Sequence, residues 1–264
     1  MYEKTFPNKR FKHTFIQKVI SYVEEPPPNN FAEDMILMGE KLWNEWDSRS
    51  DSQWRSEELY NTYIDPYWDP VRLRLYDTGT DFGGAGYDLT AAHVSEQIND
   101  GYNFLFMSTH GNQLQWKMED TPPFSATDAY SLTNHGAEGI VYTIACFNNF
   151  FDDPTYDPCL SEAFIRNPTG GAVAFVGSTR YGWGNSDPVV DFGTSFQFAS
   201  QFYQQLFTGS LSTGGGVDPN DYPNTLGAVH TSHKLHFLGL SSDNNEERWL
   251  QFGLSLVGDP QMES

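Results

Sequence analysis

Short continuous apolar runs alternate along this chain with longer segments of helical period, and that alternation limits the available folds more than any other feature. The runs are DMILMGE, VRLRLYDT, NFLFMST (103–109), GIVYTIA (139–145) and GAVAFVG (171–177). Around them lie FKHTFIQKVISYVEE, whose Phe15, Ile16, Val19, Ile20 and Val23 share one helical face, then SQWRSEELYNTYI, LTAAHVSEQIND and DPCLSEAFIR. Further helices are expected over about 191–207, around 225–237 and from about Glu246. Runs apolar at successive positions are the mark of strands buried on both faces. Strand–helix alternation then predicts an α/β domain, a mostly parallel sheet with helices on both faces. Thr90 is placed as the cap of LTAAHVSEQIND. Asp157 and Pro158 are placed as the N-cap and first helical position of DPCLSEAFIR. No linker divides the chain, so residues 1–264 are expected to form one domain, with the first 80 residues a candidate subregion.

Charge and composition exclude several functions. Lys and Arg total 15 against 35 Asp and Glu, a net charge of −20. Phosphate backbones and anionic membrane surfaces want the opposite sign, so neither nucleic acid nor membrane is an expected partner. No apolar run approaches the ~20 residues of a membrane span, and none follows the basic start MYEKTFPNKRFK as a secretory signal would require. Two cysteines, Cys146 and Cys159, make neither a disulfide framework nor a Cys-x-x-Cys pair. Cys159 falls on the apolar side of its predicted helix with Ala163 and Phe164 and reads as core.

In open α/β sheets, ligands bind outside the carboxyl ends of the strands. Three such ends carry Ser108-Thr109-His110-Gly111, Ala145-Cys146-Phe147-Asn148, and Ser178-Thr179-Arg180-Tyr181-Gly182-Trp183. A thiol nucleophile needs an imidazole to take its proton or to stand beside it as imidazolium. Consecutive strands are usually neighbours, which would bring His110 to Cys146. The backbone N–H groups of Gly111 and Cys146 are then candidate oxyanion donors. Taken singly, Cys146 reads more readily as a small buried hydrophobe and His110 as a satisfied surface or core group. An activated pair should show as thiol reactivity below the ordinary midpoint of about 8.5.

The segments around these residues resemble the gingipain-like cysteine peptidases (peptidase family C25) of the caspase-fold clan. FLFMSTHGN is similar to the histidine strand of that family and IVYTIACFNN to its cysteine strand. PCLSEAFIRNPTGGAVAFVGSTRYGW resembles the segment after the nucleophile, and LSLVGDPQM the end of the catalytic domain. LYDTGTDFG and LTAAHVSEQINDGYNF are similar to the approach to the histidine, so the resemblance runs from about Ile36 to the C-terminus. It implies a cysteine endopeptidase with Cys146 as nucleophile, His110 as general acid/base, and Gly111 and Cys146 as the oxyanion hole. It also implies an upstream carboxylate that orients the histidine and favours its charged form. Within WDSRSDSQWRSEEL the choice is Asp51, with Asp47 and Glu57 as rivals. Trp183 and Ser108 are implied to contact the substrate side chain, and Asp187 or Asp191 to supply an acidic pocket group. The substrate would be a protein or peptide, and the setting the cell surface or medium. Relatives often carry a pro-region before this domain and an immunoglobulin-like domain after it. No cofactor is implied as required. Calcium is admitted as a structural ion through Asn148, Asn149, Asp152, Asp153 and Asp157, or through Asp77, Asp81 and Asp88.

Rival readings stay open at this point. A transpeptidase of the same family would use an amine in place of water, and a silent relative would keep the fold as a binding domain. His230, His233 and His236 spread over about 120° of a helix, which suits a polar face better than a zinc site. His135-Gly136 follows a polar stretch and reads as a surface loop.

Overall fold

Each apolar run splits its side chains between two apolar faces. Met35, Leu37, Phe104, Phe106, Ile140 and Tyr142 belong to one core, and Ile36, Met38, Leu105, Met107 and Val141 to a second. The period-2 geometry of a strand sends successive residues to opposite sides, so a run apolar throughout needs cover on both. The computed structural model describes residues 9–24, 30–43, 45–46, 49–77, 87–119, 121–184, 194–209, 225–243 and 245–263. Its main sheet has seven strands. They are β1 (Asp34–Gly39), β2 (Val71–Tyr76), β3 (Tyr87–Asp88), β4 (Phe104–Ser108), β5 (Gly139–Thr143), β6 (Ala172–Ser178) and β7 (Leu254–Val257). The spatial order is β7-β6-β5-β4-β1-β2-β3. Every pairing is parallel except β6 with β7.

Eight α-helices are described: α1 (Lys9–Val23), α2 (Asp51–Leu59), α3 (Ala91–Asn99), α4 (Ala126–Tyr130), α5 (Leu160–Arg166), α6 (Thr194–Thr208), α7 (Leu226–His236) and α8 (Glu246–Gly253). The first core takes Leu59, Phe196, Phe202, Tyr203, Leu226 and Val229 from α2, α6 and α7. The second takes Val94, Ile98, Ala129, Leu160 and Phe164 from α3, α4 and α5. Much of the chain's aromatic content lies here. Tyr142 packs on Phe202 at 5.0 Å and on Tyr203 at 5.9 Å between ring centroids, and Phe106 on Tyr203 at 6.2 Å. Each such ring, fully buried, contributes about 1.5–3 kcal/mol.

Three expectations change against this frame. The strands of the first 80 residues, β1 and β2, do not form a separable subregion, because β1 lies between β2 and β4 in the one sheet. Helix α5 starts later than expected. Its N-cap is Cys159, not Asp157, because Glu162 Oε2 accepts the Cys159 N–H at 3.1 Å and closes a capping box, while the Asp157 carboxylate pairs with Arg166. The HTSHKLH segment is not a polar face. His233 is fully buried against Tyr142, Phe198 and Phe202 where α7 packs on α6. Among the described residues no three His, Cys, Asp or Glu side chains converge as metal ligands. The expectations for Thr90 as a cap and for Cys159 as a buried thiol agree with the structure.

Helix α1 is fastened from inside. Lys18 is fully buried, and its ammonium donates to Phe164 O and Ile165 O at the end of α5 and to Gly170 O just before β6. The two α5 carbonyls are in the last turn, where the helical ladder gives no donor. Burial lowers the Lys18 pKa to about 8.

Candidate active site

The sheet delivers two chain segments to one edge. β4 and β5 are adjacent and parallel with Thr143 opposite Met107, and the Ile144 N–H donates to Met107 O at 3.1 Å. The segment carrying His110 and the segment carrying Cys146 therefore leave the sheet side by side. At Gly111 the two segments approach closely. A Cβ there would lie 3.0 Å from Ala145 Cβ and 2.9 Å from Asn148 Nδ2, so only glycine fits without displacement. Asn148 Nδ2 ties the two segments by donating to Asn112 O at 2.7 Å. Lys117 N donates to His110 O, which makes Gly111 and Trp116 a non-hydrogen-bonded pair in the ribbon that follows. The N–H of Gly111 consequently turns away from that ribbon.

Cys146 sits where the chain turns sharply. Phe147, the next residue, has φ +57°, a left-handed conformation uncommon for a side chain of this size. Such a residue costs about 1–3 kcal/mol, and the surrounding structure holds it in place: the Phe147 N–H is fixed on Arg180 O at 2.7 Å and its ring meets Tyr181 at 4.6 Å. The thiol is half-buried. Its Sγ accepts from Gly182 N at 3.3 Å and lies 3.7 Å from Gly182 O. Burial pushes the Cys146 thiol up, and the backbone N–H groups of Gly182 and of Cys146 itself oppose that only in part.

His110 is oriented by a backbone carbonyl. Its Nε2 lies 3.1 Å from Leu42 O. A carbonyl only accepts, so Nε2 carries the proton and Nδ1 is the basic nitrogen of the neutral ring. The Trp43 indole stands edge-to-face with the imidazole at 6.1 Å. Asp51 acts on this loop. Fully buried at the start of α2, its carboxylate accepts from Leu42 N at 2.8 Å, Trp43 N at 3.0 Å and its neighbour Ser52 N at 3.0 Å. Asp51 thus bears on His110 through the Leu42–Trp43 backbone.

A second carboxylate, not singled out in the sequence, lies closer in the chain fold. Glu40 follows β1, is fully buried, and accepts from the His110 N–H at 3.2 Å and from Thr109 Oγ1 at 2.7 Å. Lys117 Nζ lies 2.8 Å from its other oxygen. The rival Glu57 is committed elsewhere, to Arg74 at 2.8 Å, Arg72 at 3.3 Å and Tyr76 at 2.8 Å. Asp47, Asp187 and Asp191 lie outside the described residues.

Trp183 borders Cys146 through Gly182 and is 38% exposed. Ser108 is fully buried and donates to Ser52 Oγ at 3.0 Å, so it supports the β4–α2 contact and does not face the cleft. Most of the oxygen donors expected for calcium are engaged in other contacts, while Asn148 Oδ1 is buried without a hydrogen-bond partner among the described residues. Asp152 pairs with Arg180, Asp157 with Arg166, and Asp153 caps a short helical turn at Thr155. Asn149 Oδ1 accepts from Ser161 Oγ, and Asn149 Nδ2 donates to Ser255 O. Asn148 is buried with its amide on backbone carbonyls. Asp81 of the second cluster is outside the described residues.

A fold of this kind occurs in solved cysteine proteinase structures. The crystal structure of the Arg specific cysteine proteinase gingipain R superimposes with a TM-score of 0.71 at 17% identity, over 97% of this chain and 53% of that one. The complex of Porphyromonas gingivalis RgpB pro- and mature domains gives 0.68 at 18% identity, over 97% and 54%. At those identities the likeness is one of fold. The profile of peptidase family C25 matches residues 11–264, and the chain belongs to that family. Lys-gingipain from Porphyromonas gingivalis is 25% identical over 179 residues, 64% of this chain and 10% of the relative. The chain therefore spans about a tenth of the curated relatives and about half of the solved structures it matches.

Proposed function

We propose that this chain is a cysteine peptidase in which Cys146 attacks the scissile carbonyl and His110 carries the proton. One observation supports the reading above the others: His110 and Cys146 leave adjacent parallel strands in touching segments, with Nε2–H of the imidazole committed to Leu42 O. That commitment reserves Nδ1 for proton transfer. Burial favours the thiol over the thiolate, and the S–H proton passes to His110 as the S–C bond forms. The carbonyl electron pair moves to oxygen, where the N–H groups of Gly111 and Cys146 are the donors. Collapse expels the amine, which takes the proton from His110 and leaves a thioester on Cys146. Water then adds to the thioester with His110 as base. Asp51 and Glu40 are positioning residues, holding the Leu42–Trp43 loop and the His110 backbone respectively.

The substrate in this reading is a protein or peptide, with Trp183 along the bound chain. Asp187 stays in the proposal as the acidic pocket group, and secretion or display at the cell surface is the setting proposed. Among the described residues no helix is long and apolar enough to cross a membrane. An amine in place of water would give transpeptidation through the same thioester. The deciding experiment is digestion of an unfolded protein such as reduced casein, with product ends read by mass spectrometry. Cleavage lost in both Cys146→Ala and His110→Ala supports the reading. Cleavage that survives either substitution, or no cleavage by the intact protein, refutes it.

A further inference from the structure

Asn148 carries a cost that packing alone does not explain. The residue is fully buried, yet its Oδ1 has no hydrogen-bond partner among the described residues. It directly follows Phe147, held at φ +57° in the left-handed region that such side chains avoid. An orphaned polar atom beside a strained residue, just past the nucleophile, marks a place where geometry is kept against local stability.

The geometry kept is that of the Asn148 amide. Nδ2 donates to Asn112 O at 2.7 Å and to Gln115 O at 3.3 Å, the paired residues that close the turn after Gly111. Exchanging Oδ1 and Nδ2 would set an acceptor against two acceptors, so these carbonyls fix which way the amide faces and leave Oδ1 unpaired. Gly111 makes room for it, since Nδ2 lies 2.9 Å from where a Cβ on that residue would stand. The start of α5 completes the frame. Ser161 N donates to Asn148 O at 3.0 Å and Leu160 N to Gln113 O at 2.8 Å. First-turn N–H groups of one helix, which have no partner within it, thus hold the segment after Cys146 and the segment after Gly111 together. The two oxyanion donors, the N–H groups of Gly111 and Cys146, come one from each of these segments. The Asn148 side chain spans the gap between them.

We propose that Asn148 is a positioning residue that sets the spacing of the oxyanion hole, joining the donor on Gly111 to the donor on Cys146. Its side chain is buried and acts through the two backbones, not on the substrate. The proposal rests on the reading of Cys146 and His110 as a peptidase pair, and the experiment separates the two. Asn148→Ala removes the tie, and Asn148→Leu removes it with the space filled, so that a cavity in the first does not decide the result. Each is compared with the intact protein in hydrolysis of peptides from reduced casein, in inhibition by a panel of peptidyl aldehydes, and in alkylation of Cys146 by iodoacetamide at pH 9. The aldehyde carbon bonds to Sγ as the thiol proton passes to His110, and its oxygen takes the place of the oxyanion. Iodoacetamide only exchanges iodide for sulfur and uses no oxyanion donor. Because a shift of about 1 Å in a reacting group costs up to about 100-fold in rate, kcat should fall about 10–100-fold with KM within about threefold. Aldehyde affinity should fall by a similar factor, while alkylation stays within about twofold. Unchanged kcat and aldehyde affinity in a folded variant, or alkylation lost in step with them, overturns the positioning role and leaves the peptidase reading in place. Aldehyde binding that depends on Asn148, without peptide turnover by the intact protein, would keep the positioned oxyanion hole and remove the hydrolytic reading. Neither turnover nor aldehyde binding by the intact protein would overturn both.

Discussion

Asp51→Asn tests how the histidine is held. The carboxylate accepts three backbone N–H groups, with Leu42 N and Ser52 N on Oδ1 and Trp43 N on Oδ2. Asparagine keeps one acceptor oxygen and sets an NH2 against the remaining N–H. One buried charge-assisted bond is lost, about 1.5–3 kcal/mol, and an N–H is left without an acceptor, about 1–3 kcal/mol more. Because Trp43 is partly exposed, water relieves some of that second cost, and the expected loss of stability is about 2–4 kcal/mol. The effect on catalysis has a distinct signature. Relaxation of the Leu42–Trp43 loop frees the imidazole to rotate off Leu42 O, so kcat should fall about 10–100-fold with KM within about threefold. Urea unfolding gives the first quantity and steady-state peptide hydrolysis at 15 °C, where the variant stays folded, gives the second. A variant destabilised as expected but with kcat within twofold of the original would show that Asp51 is a structural anchor without influence on His110.

Three further outcomes follow from buried groups and tight contacts. In Lys18→Met the ammonium is removed from the α5 carbonyls. Because the folded pKa of about 8 lies below the ordinary 10.5, folding favours the neutral amine, and the original protein should gain up to roughly 3 kcal/mol relative to Lys18→Met as pH rises from 8 to 10.5 in urea titrations. Burial lowers the His230 pKa to about 3 and holds His233 well below the usual imidazole range of 6.5, so the unfolded chain binds protons that the folded one refuses. Stability is then present above pH 6.5 and lost below it. His233→Phe should recover about 2 kcal/mol of that loss at pH 5, read as the difference between unfolding curves at pH 7 and pH 5. Finally, a Cβ on Gly184 would lie 2.2 Å from the Trp43 indole, which in turn meets His110. Gly184→Ala should displace Trp43 and lower kcat about tenfold, with the unfolding midpoint shifted by less than about 4 °C.

The five apolar runs were legible as strands because continuous apolarity is itself the cause of their burial between two helical layers. β7 was not, since LSLV is a short edge strand of mostly half-buried residues and its signal is weaker than its antiparallel pairing with β6. His110 and Cys146 were legible from their places just past strand ends, a position the sheet topology makes meaningful. Leu42 O could not be found in the sequence, because every residue has a carbonyl and only the fold aims it. Glu40 leaves a trace, a charge closing the apolar run DMILMG, but in so acidic a chain nothing sets it apart from the other carboxylates. HTSHKLH misled because imidazoles suggest solvent, whereas α6 covers His233 with Phe198 and Phe202. The balance of charge at Cys146 is not written in residue identity, because burial, which raises its pKa, comes only from the fold.

The central claim is that Cys146 and His110 act as one chemical unit, and covalent capture by peptidyl acyloxymethyl ketones tests it most directly. The intact protein and His110→Ala would be treated with a panel varied at the residue next to the warhead, and labelled peptides mapped by mass spectrometry. Iodoacetamide at pH 9 measures plain thiol access in parallel. Cys159, fully buried with its thiol pushed up to about 11, serves as the inert internal reference. The account predicts a single peptidyl adduct on Cys146, slowed at least about 100-fold in His110→Ala, with iodoacetamide labelling nearly equal in the two proteins. Equal peptidyl labelling with and without His110, or no adduct on Cys146 from any member of the panel, would contradict it.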